Sequence, residues 1–124
     1  MEDMGDASAG TAMMMVSIKG EGYRAIVVLD TIVNGTSSGG VRIAGDVSEE
    51  EVRTLGREMT YKYSFFRLPR GGAKTGISLE PGVERERRRI ALRDFGHKLG
   101  PIIRAGLYFP GMDLNCGVED LRDI

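Results

Sequence analysis

Two lysines stand out as residues that could do chemistry. Lys62 follows Met59 by three residues and precedes Phe66 by four, so a helix would carry its ammonium group beside an apolar stripe. Lys74 lies further on in "RGGAKTG" (70–76), where glycines without a Cβ would let a small ligand approach the backbone. The two ammonium groups would then share one cleft. Alternatively, Lys62 reaches into solvent and Lys74 is an ordinary turn lysine, and spacing alone does not decide between the two interpretations.

The same glycine-rich stretch has some features of a phosphate-binding loop, but it lacks the residues that define one. The motif G-x-x-x-x-G-K-[ST] needs two glycines at positions where this chain has Leu68 and Ala73. Such a loop also follows a strand and opens a helix, whereas here a helical pattern comes first and a strand pattern follows. We therefore predict a loop that joins a helix to a strand, without a phosphate site.

The helix in question should begin near residue 48. Ser48 and Glu51 have the spacing of a capping box, which satisfies free amides at a helix start. Apolar residues then recur at intervals of three or four and predict one buried stripe, formed by Val52, Leu55, Met59, Tyr63 and Phe66. After the glycine-rich stretch, "TGISLEPG" (75–82) predicts a strand and a turn.

The other elements follow from the same kind of pattern. The apolar run 23–31 predicts a buried strand and 40–44 a shorter one, with Gly39 and Gly40 between them. A helix is predicted over 83–103, with its charged residues on a solvated face and an apolar face made of Ala91, Phe95 and Leu99. His97 falls in this helix in a surface or half-buried role. The chain then predicts a short strand, a Pro-Gly loop holding Asp113, and a helix from about Val118.

Length and composition narrow the class of protein. The 124 residues, of which 41% are hydrophobic, suffice for one domain. Seventeen basic and eighteen acidic residues give a net charge of −1, so neither nucleic acid nor a membrane surface is an expected partner. The single cysteine, Cys116, and the absence of a cysteine and histidine cluster indicate no metal site and a reducing, cytoplasmic setting. We expect residues 1–15 to be a flexible leader.

Four motifs resemble one enzyme family in both order and spacing. They are "GGVR" (39–42), "MTYK" (59–62), "PRGGAKTG" (69–76), and Asp113 followed by "GVEDL" (117–121). Together they resemble the glutamate/leucine/phenylalanine/valine dehydrogenases, over roughly residues 22 to 124. The resemblance implies that residues 16–124 form that family's N-terminal substrate-binding and dimerisation domain. The implied fold is α/β, a single domain with a mixed sheet flanked by helices.

The resemblance also implies an activity and a set of site residues. The reaction would be the reversible oxidative deamination of an L-amino acid to a 2-oxo acid and ammonia. Lys74 would be the catalytic lysine, and Asp113 would shuttle protons to and from the amino group. Lys62 would hold the substrate α-carboxylate, and Gly40 would face the substrate with its backbone. The implied substrate-binding residues are Lys62, Gly40, Gly39 and Ser38.

Two positions depart from the family pattern. Glutamate-type members have a lysine directly before the Gly-Gly pair, which pairs with the distal carboxylate of the substrate, and this chain has Ser38. From this departure we expect a preference for an aliphatic or otherwise uncharged amino acid over glutamate. Arg70 stands where the family usually has an apolar residue. Of two alternatives, contact with an acidic substrate or exposure to solvent, we expect exposure to solvent. The motifs are divided between the leucine and glutamate branches, so the subgroup stays open.

Family members bind NAD or NADP in a second, Rossmann-type domain, and no G-x-G-x-x-G turn occurs in this sequence. The helix that begins near Val118 also stops without a capping signal. We therefore expect a C-terminally truncated piece of a longer dehydrogenase that associates with copies of itself and transfers no hydride alone. A stand-alone, non-catalytic amino-acid-binding or assembly module is the alternative.

Overall fold

The computed structural model describes residues 14–80, 82–112 and 116–124. The strands are β1 (Met14–Gly20), β2 (Tyr23–Leu29), β3 (Ser37–Ala44), β4 (Gly71–Leu79) and β5 (Phe109–Met112). The helices are α1 (Glu49–Phe65), α2 (Arg85–Arg104) and α3 (Val118–Asp123). From β2 onward, the predicted order of strands and helices is confirmed.

The first strand was missed by the sequence analysis, which placed Met14 and Met15 in the leader. β1 forms an antiparallel hairpin with β2, joined by Glu21 and Gly22. Gly22 has a φ of 80°, in the left-handed region that glycine adopts without strain. The strand alternates between exposed and more buried residues, which is the pattern of a strand with one face against a core.

The five strands form one mixed sheet in the order β1-β2-β4-β3-β5, so the predicted fold class is confirmed. β2 is antiparallel to β1 and to β4, whereas β3 is parallel to β4 and to β5. The connection from β3 to β4 runs through α1, and the connection from β4 back past β3 to β5 runs through α2. Because such crossovers are right-handed, the two helices lie on opposite faces of the sheet.

The packing of β2 shows the two faces. Val27 and Leu29 join the large core that contains Phe95 and Leu99 of α2, and we call this side the α2 face. The alternate residues of β2 join a smaller cluster with Val47 and with Val52 of α1, on what we call the α1 face. This explains why the apolar run of β2 has no polar alternation: the strand is covered on both sides.

Helix α1 begins as predicted, but its buried stripe differs from the prediction. Ser48 is the N-cap, and its hydroxyl accepts a hydrogen bond from the backbone amide of Glu51. Val52 and Tyr63 are buried as expected, whereas Phe66 is 61% exposed. The buried face instead passes through Gly56 and Thr60. The prediction was wrong because it counted large apolar side chains, while this helix approaches the sheet through small ones.

The glycine-rich stretch is strand β4 from Gly71 onward, so its prediction as a loop was wrong. Its glycines are required by close packing. A methyl group at Gly72 would overlap the backbone nitrogen of Thr60, and one at Gly76 would overlap Val47 and Val52. At Gly71 the obstacle is the carbonyl oxygen of Thr31. The helix-to-strand order that argued against a phosphate loop is confirmed.

Helix α2 buries Ala91, Phe95 and Leu99, as predicted. Its charged face is not wholly solvated, because Arg88 donates two hydrogen bonds to the Asp120 carboxylate of α3, at 3.1 and 3.0 Å. These hydrogen bonds lower the pKa of Asp120 below its ordinary value. Elsewhere, His97 is exposed, as expected for a surface residue.

We predict that Gly72→Ala destabilises the chain strongly, by about 1–3 kcal/mol or more, because the new methyl group meets the backbone of α1. Gly82→Ala is the matched control, since no atom lies within 4 Å of a Cβ at that position. The control should change the free energy of unfolding by no more than about 1 kcal/mol. Urea denaturation of the two variants measures the difference, and equal midpoints would contradict the close packing.

Candidate functional site

Lys74 is a buried residue in the middle of β4, with a side chain 5% exposed. Side chains alternate along a strand, so Lys74 shares a face with Gly72 and Gly76. Both glycines pack against α1 or the residues that lead into it. Lys74 therefore extends from the sheet on the α1 face, between two positions that have no side chain. The glycines on both sides of this lysine were recognised from the sequence, but Lys74 was predicted to lie in a loop and instead lies on a strand.

A buried polar network holds α1 against the sheet next to this lysine. The Thr60 hydroxyl lies 2.5 Å from the Asp30 carboxylate and 3.0 Å from the hydroxyl of Thr31. Thr31 in turn accepts a hydrogen bond of 3.1 Å from the Gly72 amide. Arg57 forms an ion pair of 3.2 Å with Asp30, which is 5% exposed. Because each of these groups has a partner, the network can be buried where large apolar side chains would not fit.

Lys62 lies in the last turn of α1 and is exposed. Eleven residues, or about three turns, separate it from Glu51, so the two lie on the same edge of the helix. Glu51 forms an ion pair of 3.0 Å with Arg42 of β3. Lys62 therefore lies along the edge of α1 that runs beside β3, while Lys74 lies beneath the helix on β4. The structure thus places both lysines on the α1 face, one exposed and one buried.

Gly39 and Gly40 lie inside β3, so the prediction that they separate two strands was wrong. β3 and β4 pair at Ser38 and Gly72, and the pairing resumes in the same register at Val41 and Thr75. The glycine pair occupies the gap in that pairing. A methyl group at Gly39 would overlap the carbonyl oxygen of Ala73, directly before Lys74. Only a residue without a side chain lets the two backbones approach this closely.

Sequence reasoning missed Tyr108, which is fully buried behind the glycine pair. Its hydroxyl lies 2.8 Å from the Thr75 hydroxyl and donates to the carbonyl of Gly39 at 3.1 Å. Burial raises the pKa of Tyr108, so the phenol keeps its proton at any working pH. No local pattern indicates this contact, because Tyr108 and Gly39 are far apart in the chain.

The remaining predicted residues are placed as follows. Ser38 lies on β3, and its hydroxyl donates to the Phe109 carbonyl of β5 at 3.2 Å. Arg70 is exposed, as expected, and its guanidinium lies 4.7 Å from the centre of the Tyr63 ring. Asp113 lies outside the described residues, and its role stays a prediction. It follows β5, whose last residue pairs with Val41 of β3.

The described part of the chain contains no group of three or more histidine, cysteine, aspartate or glutamate residues that could hold a metal ion. Among the helices of residues 14–80, 82–112 and 116–124, none is long and apolar enough to cross a membrane.

A dinucleotide does not fit the two β-α-β units of the described residues. The segments leading into α1 and α2 contain one glycine each, Gly45 and Gly82, where a pyrophosphate turn needs several. Helix α1 also begins among acidic residues, Glu49, Glu50 and Glu51. Negative charge at a helix start repels a pyrophosphate.

Solved structures share this arrangement of one mixed sheet between helices. The hetero-hexameric glutamate dehydrogenase from Thermus thermophilus aligns with a TM-score of 0.83 at 22% identity, over 98% of this chain and 35% of that one. L-tryptophan dehydrogenase from Nostoc punctiforme aligns with a TM-score of 0.77 at 23% identity, over the same shares, 98% and 35%. The fold is therefore one found in amino-acid dehydrogenases.

The sequence matches the family described as Glu/Leu/Phe/Val dehydrogenase, dimerisation domain, over residues 10–124. The chain belongs to this family, and the resemblance carried by the four motifs is confirmed. An NAD-specific glutamate dehydrogenase of Staphylococcus aureus is 49% identical over 87 residues, which are 70% of this chain and 20% of that protein. The NADP-specific glutamate dehydrogenase A1 of Halobacterium salinarum is 35% identical over 90 residues, which are 71% of this chain and 21% of that protein. The chain spans about a fifth of the length of these relatives.

Proposed function

We propose that this chain is the substrate-binding and oligomerisation domain of an NAD(P)-dependent L-amino-acid dehydrogenase. The observation that carries the proposal is the position of Lys74, a buried lysine between two glycines, on the α1 face of a family member. A lysine held in this way has a fixed position, which a group that transfers protons to a bound substrate requires. The reaction is the reversible conversion of an L-amino acid to a 2-oxo acid and ammonia.

In this proposal the two lysines have different tasks that follow from their surroundings. Lys62, exposed at the edge of α1, binds the α-carboxylate as a fixed cation. Lys74 is buried and transfers protons to and from the groups bound to the reacting carbon. Asp113 transfers protons to and from the amino group. The backbone of Gly40 forms one wall of the substrate site, next to Gly39 and Ser38.

The hydride acceptor in the proposed reaction is NAD or NADP, the cofactors in the names of the relatives. Neither β-α-β unit described above suits a dinucleotide, so we propose that a domain outside these residues binds it. What this chain supplies is substrate binding and proton transfer.

The proposal predicts different defects for the two lysines in the complete natural polypeptide that contains these residues. Lys74→Ala should lower kcat by about 10²–10⁴-fold while amino-acid binding stays measurable by calorimetry. Lys62→Ala should chiefly raise KM, by roughly tenfold to a hundredfold, through loss of a charged hydrogen bond. Steady-state formation of NADH or NADPH from L-amino acids measures both effects.

Two further variants act as controls for this experiment. Lys74→Met keeps the length of the side chain without the amine, so it separates loss of chemistry from loss of packing. Lys98→Ala removes a lysine on α2 that pairs with Asp94 at 3.0 Å, away from the site, and should leave turnover unchanged. A normal kcat in Lys74→Ala would overturn the catalytic assignment.

We infer that the preferred substrate has an uncharged side chain, and the alternative is glutamate, the substrate in the relatives' names. The inference rests on Ser38, whose hydroxyl already donates to the Phe109 carbonyl. A distal carboxylate beside Ser38 would meet a neutral side chain whose hydroxyl proton is already donated, and burying a carboxylate without a paired cation costs several kcal/mol.

Ser38→Lys should raise kcat/KM for glutamate relative to leucine by about tenfold or more, because it supplies the missing cation. Ser38→Met has a similar length without charge and should not favour glutamate. Competition between the two substrates in the complete polypeptide measures the ratio. A wild-type enzyme that already prefers glutamate strongly would contradict the inference.

We also propose that copies of the chain associate, as the family's description as a dimerisation domain suggests. β1 is an outer strand of the described sheet, and Met15 on it is 42% exposed. Sedimentation at micromolar concentration should show species larger than the 13.5 kDa chain, and Met15→Lys should weaken association, because lysine disfavours edge pairing. A monomer as the single species would contradict this proposal.

A further inference from the structure

Behind the candidate site, on the α2 face, three groups form a hydrogen-bonded chain. Tyr108 and Thr75 are both fully buried, and the phenol lies between the Thr75 hydroxyl and the carbonyl of Gly39. A carbonyl can only accept, so the single phenolic proton goes to Gly39. The Thr75 hydroxyl must then donate to the phenol oxygen. The donor and the acceptor of both hydrogen bonds, from Thr75 to Tyr108 and from Tyr108 to Gly39, are therefore fixed.

This chain of bonds ends at the peptide that joins Gly39 to Gly40. The peptide unit is planar and trans, so the direction of the Gly39 carbonyl also sets the direction of the Gly40 amide. Here β3 pairs with β5, with Gly39 opposite Pro110 and Gly40 opposite Gly111, but it has no ladder contact with β4. Glycine adds no side chain to restrict the backbone either. The hydrogen bonds through Tyr108 to Thr75 therefore tie this peptide to β4, where the ladder contact is missing.

At its other end, this series of hydrogen bonds reaches Thr75, the residue next to Lys74. Thr75 is its neighbour on β4, and successive side chains of a strand point to opposite faces. Thr75 therefore faces Tyr108 while Lys74 faces the proposed substrate. The hydrogen bond to Thr75 restrains the strand residue directly after the lysine. Tyr108 thus connects the two backbones, β3 and β4, that bound the proposed site.

We propose that Tyr108 and Thr75 are positioning residues, which fix the Gly39–Gly40 peptide from behind the sheet and so set the affinity for the amino acid. The proposal rests on the proposed function above. Neither side chain touches the substrate, because both lie on the opposite face. Their effect passes through the orientation of the Gly40 backbone.

The test is Tyr108→Phe in the complete natural polypeptide, which keeps the ring and removes the hydroxyl. We expect KM for the L-amino acid to rise about tenfold, with KM for NAD or NADP unchanged. Thr75→Val should raise the amino-acid KM by a smaller factor, since the phenol can still donate to Gly39, and Thr75→Ser should behave as wild type. The double variant should be no worse than Tyr108→Phe, because both changes break the same chain.

Tyr23→Phe is the matched control. Tyr23 is a second buried tyrosine, and its hydroxyl donates to Asp94 at 2.6 Å at the far end of β2. This variant should lose stability without a change in the amino-acid KM, which is what a purely structural role would give. If Tyr108→Phe fails to fold, Thr75→Val carries the test alone. An active wild type with an unchanged amino-acid KM in these variants overturns the positioning role alone, whereas an inactive wild type overturns the proposed function and this inference with it.

Discussion

The close approach of helix α1 to strand β4 is the constraint on which the rest of this domain depends. At Gly72 the helix backbone touches the strand backbone, and at Gly76 the side chains of Val47 and Val52 fill the space of a missing Cβ. Backbones can approach this closely only where side chains are absent or small. Lys74, the one long side chain between the two glycines, is consequently held beneath the helix with 5% of its surface exposed.

This close approach also determines how the helix is held. Gly56 and Thr60 supply little apolar surface, so burial alone contributes less here than on the α2 face, where Leu92, Phe95 and Leu99 pack. The network of Asp30, Thr60 and Thr31 supplies directional contacts in its place. Such networks stabilise when every member is satisfied and destabilise when one is removed. The two faces of the sheet therefore differ: the α2 face is held by a large apolar core, whereas the α1 face combines a small apolar cluster with this polar network.

Tyr108 is the exception to this division, because its hydrogen-bonded hydroxyl lies within the apolar core of the α2 face. A buried hydroxyl costs free energy unless it is hydrogen-bonded. Here the Tyr108 hydroxyl is hydrogen-bonded both to the Thr75 hydroxyl and to the Gly39 carbonyl. The carbonyl of Gly39 lies where β3 pairs with β5 but not with β4, and the phenol links it to Thr75 of β4. The phenol thus bridges β3 and β4 beside Lys74, where the ladder between the two strands is interrupted.

The sequence by itself determined the family and the order of elements from β2 onward, and it singled out Lys62 and Lys74 as candidates. These conclusions rest on local patterns and motif spacing, such as the Ser48 cap, the Ala91, Phe95 and Leu99 stripe, and the "GGAKTG" run. Only the tertiary structure shows why glycine is required at these positions. A glycine permits a loop and a close strand contact equally well, and the choice between them depends on Thr60 and Thr31, which lie elsewhere in the chain. For the same reason no sequence pattern indicated the hydrogen bond from Tyr108 to Gly39, because the two residues meet only when β3 and the start of β5 lie side by side.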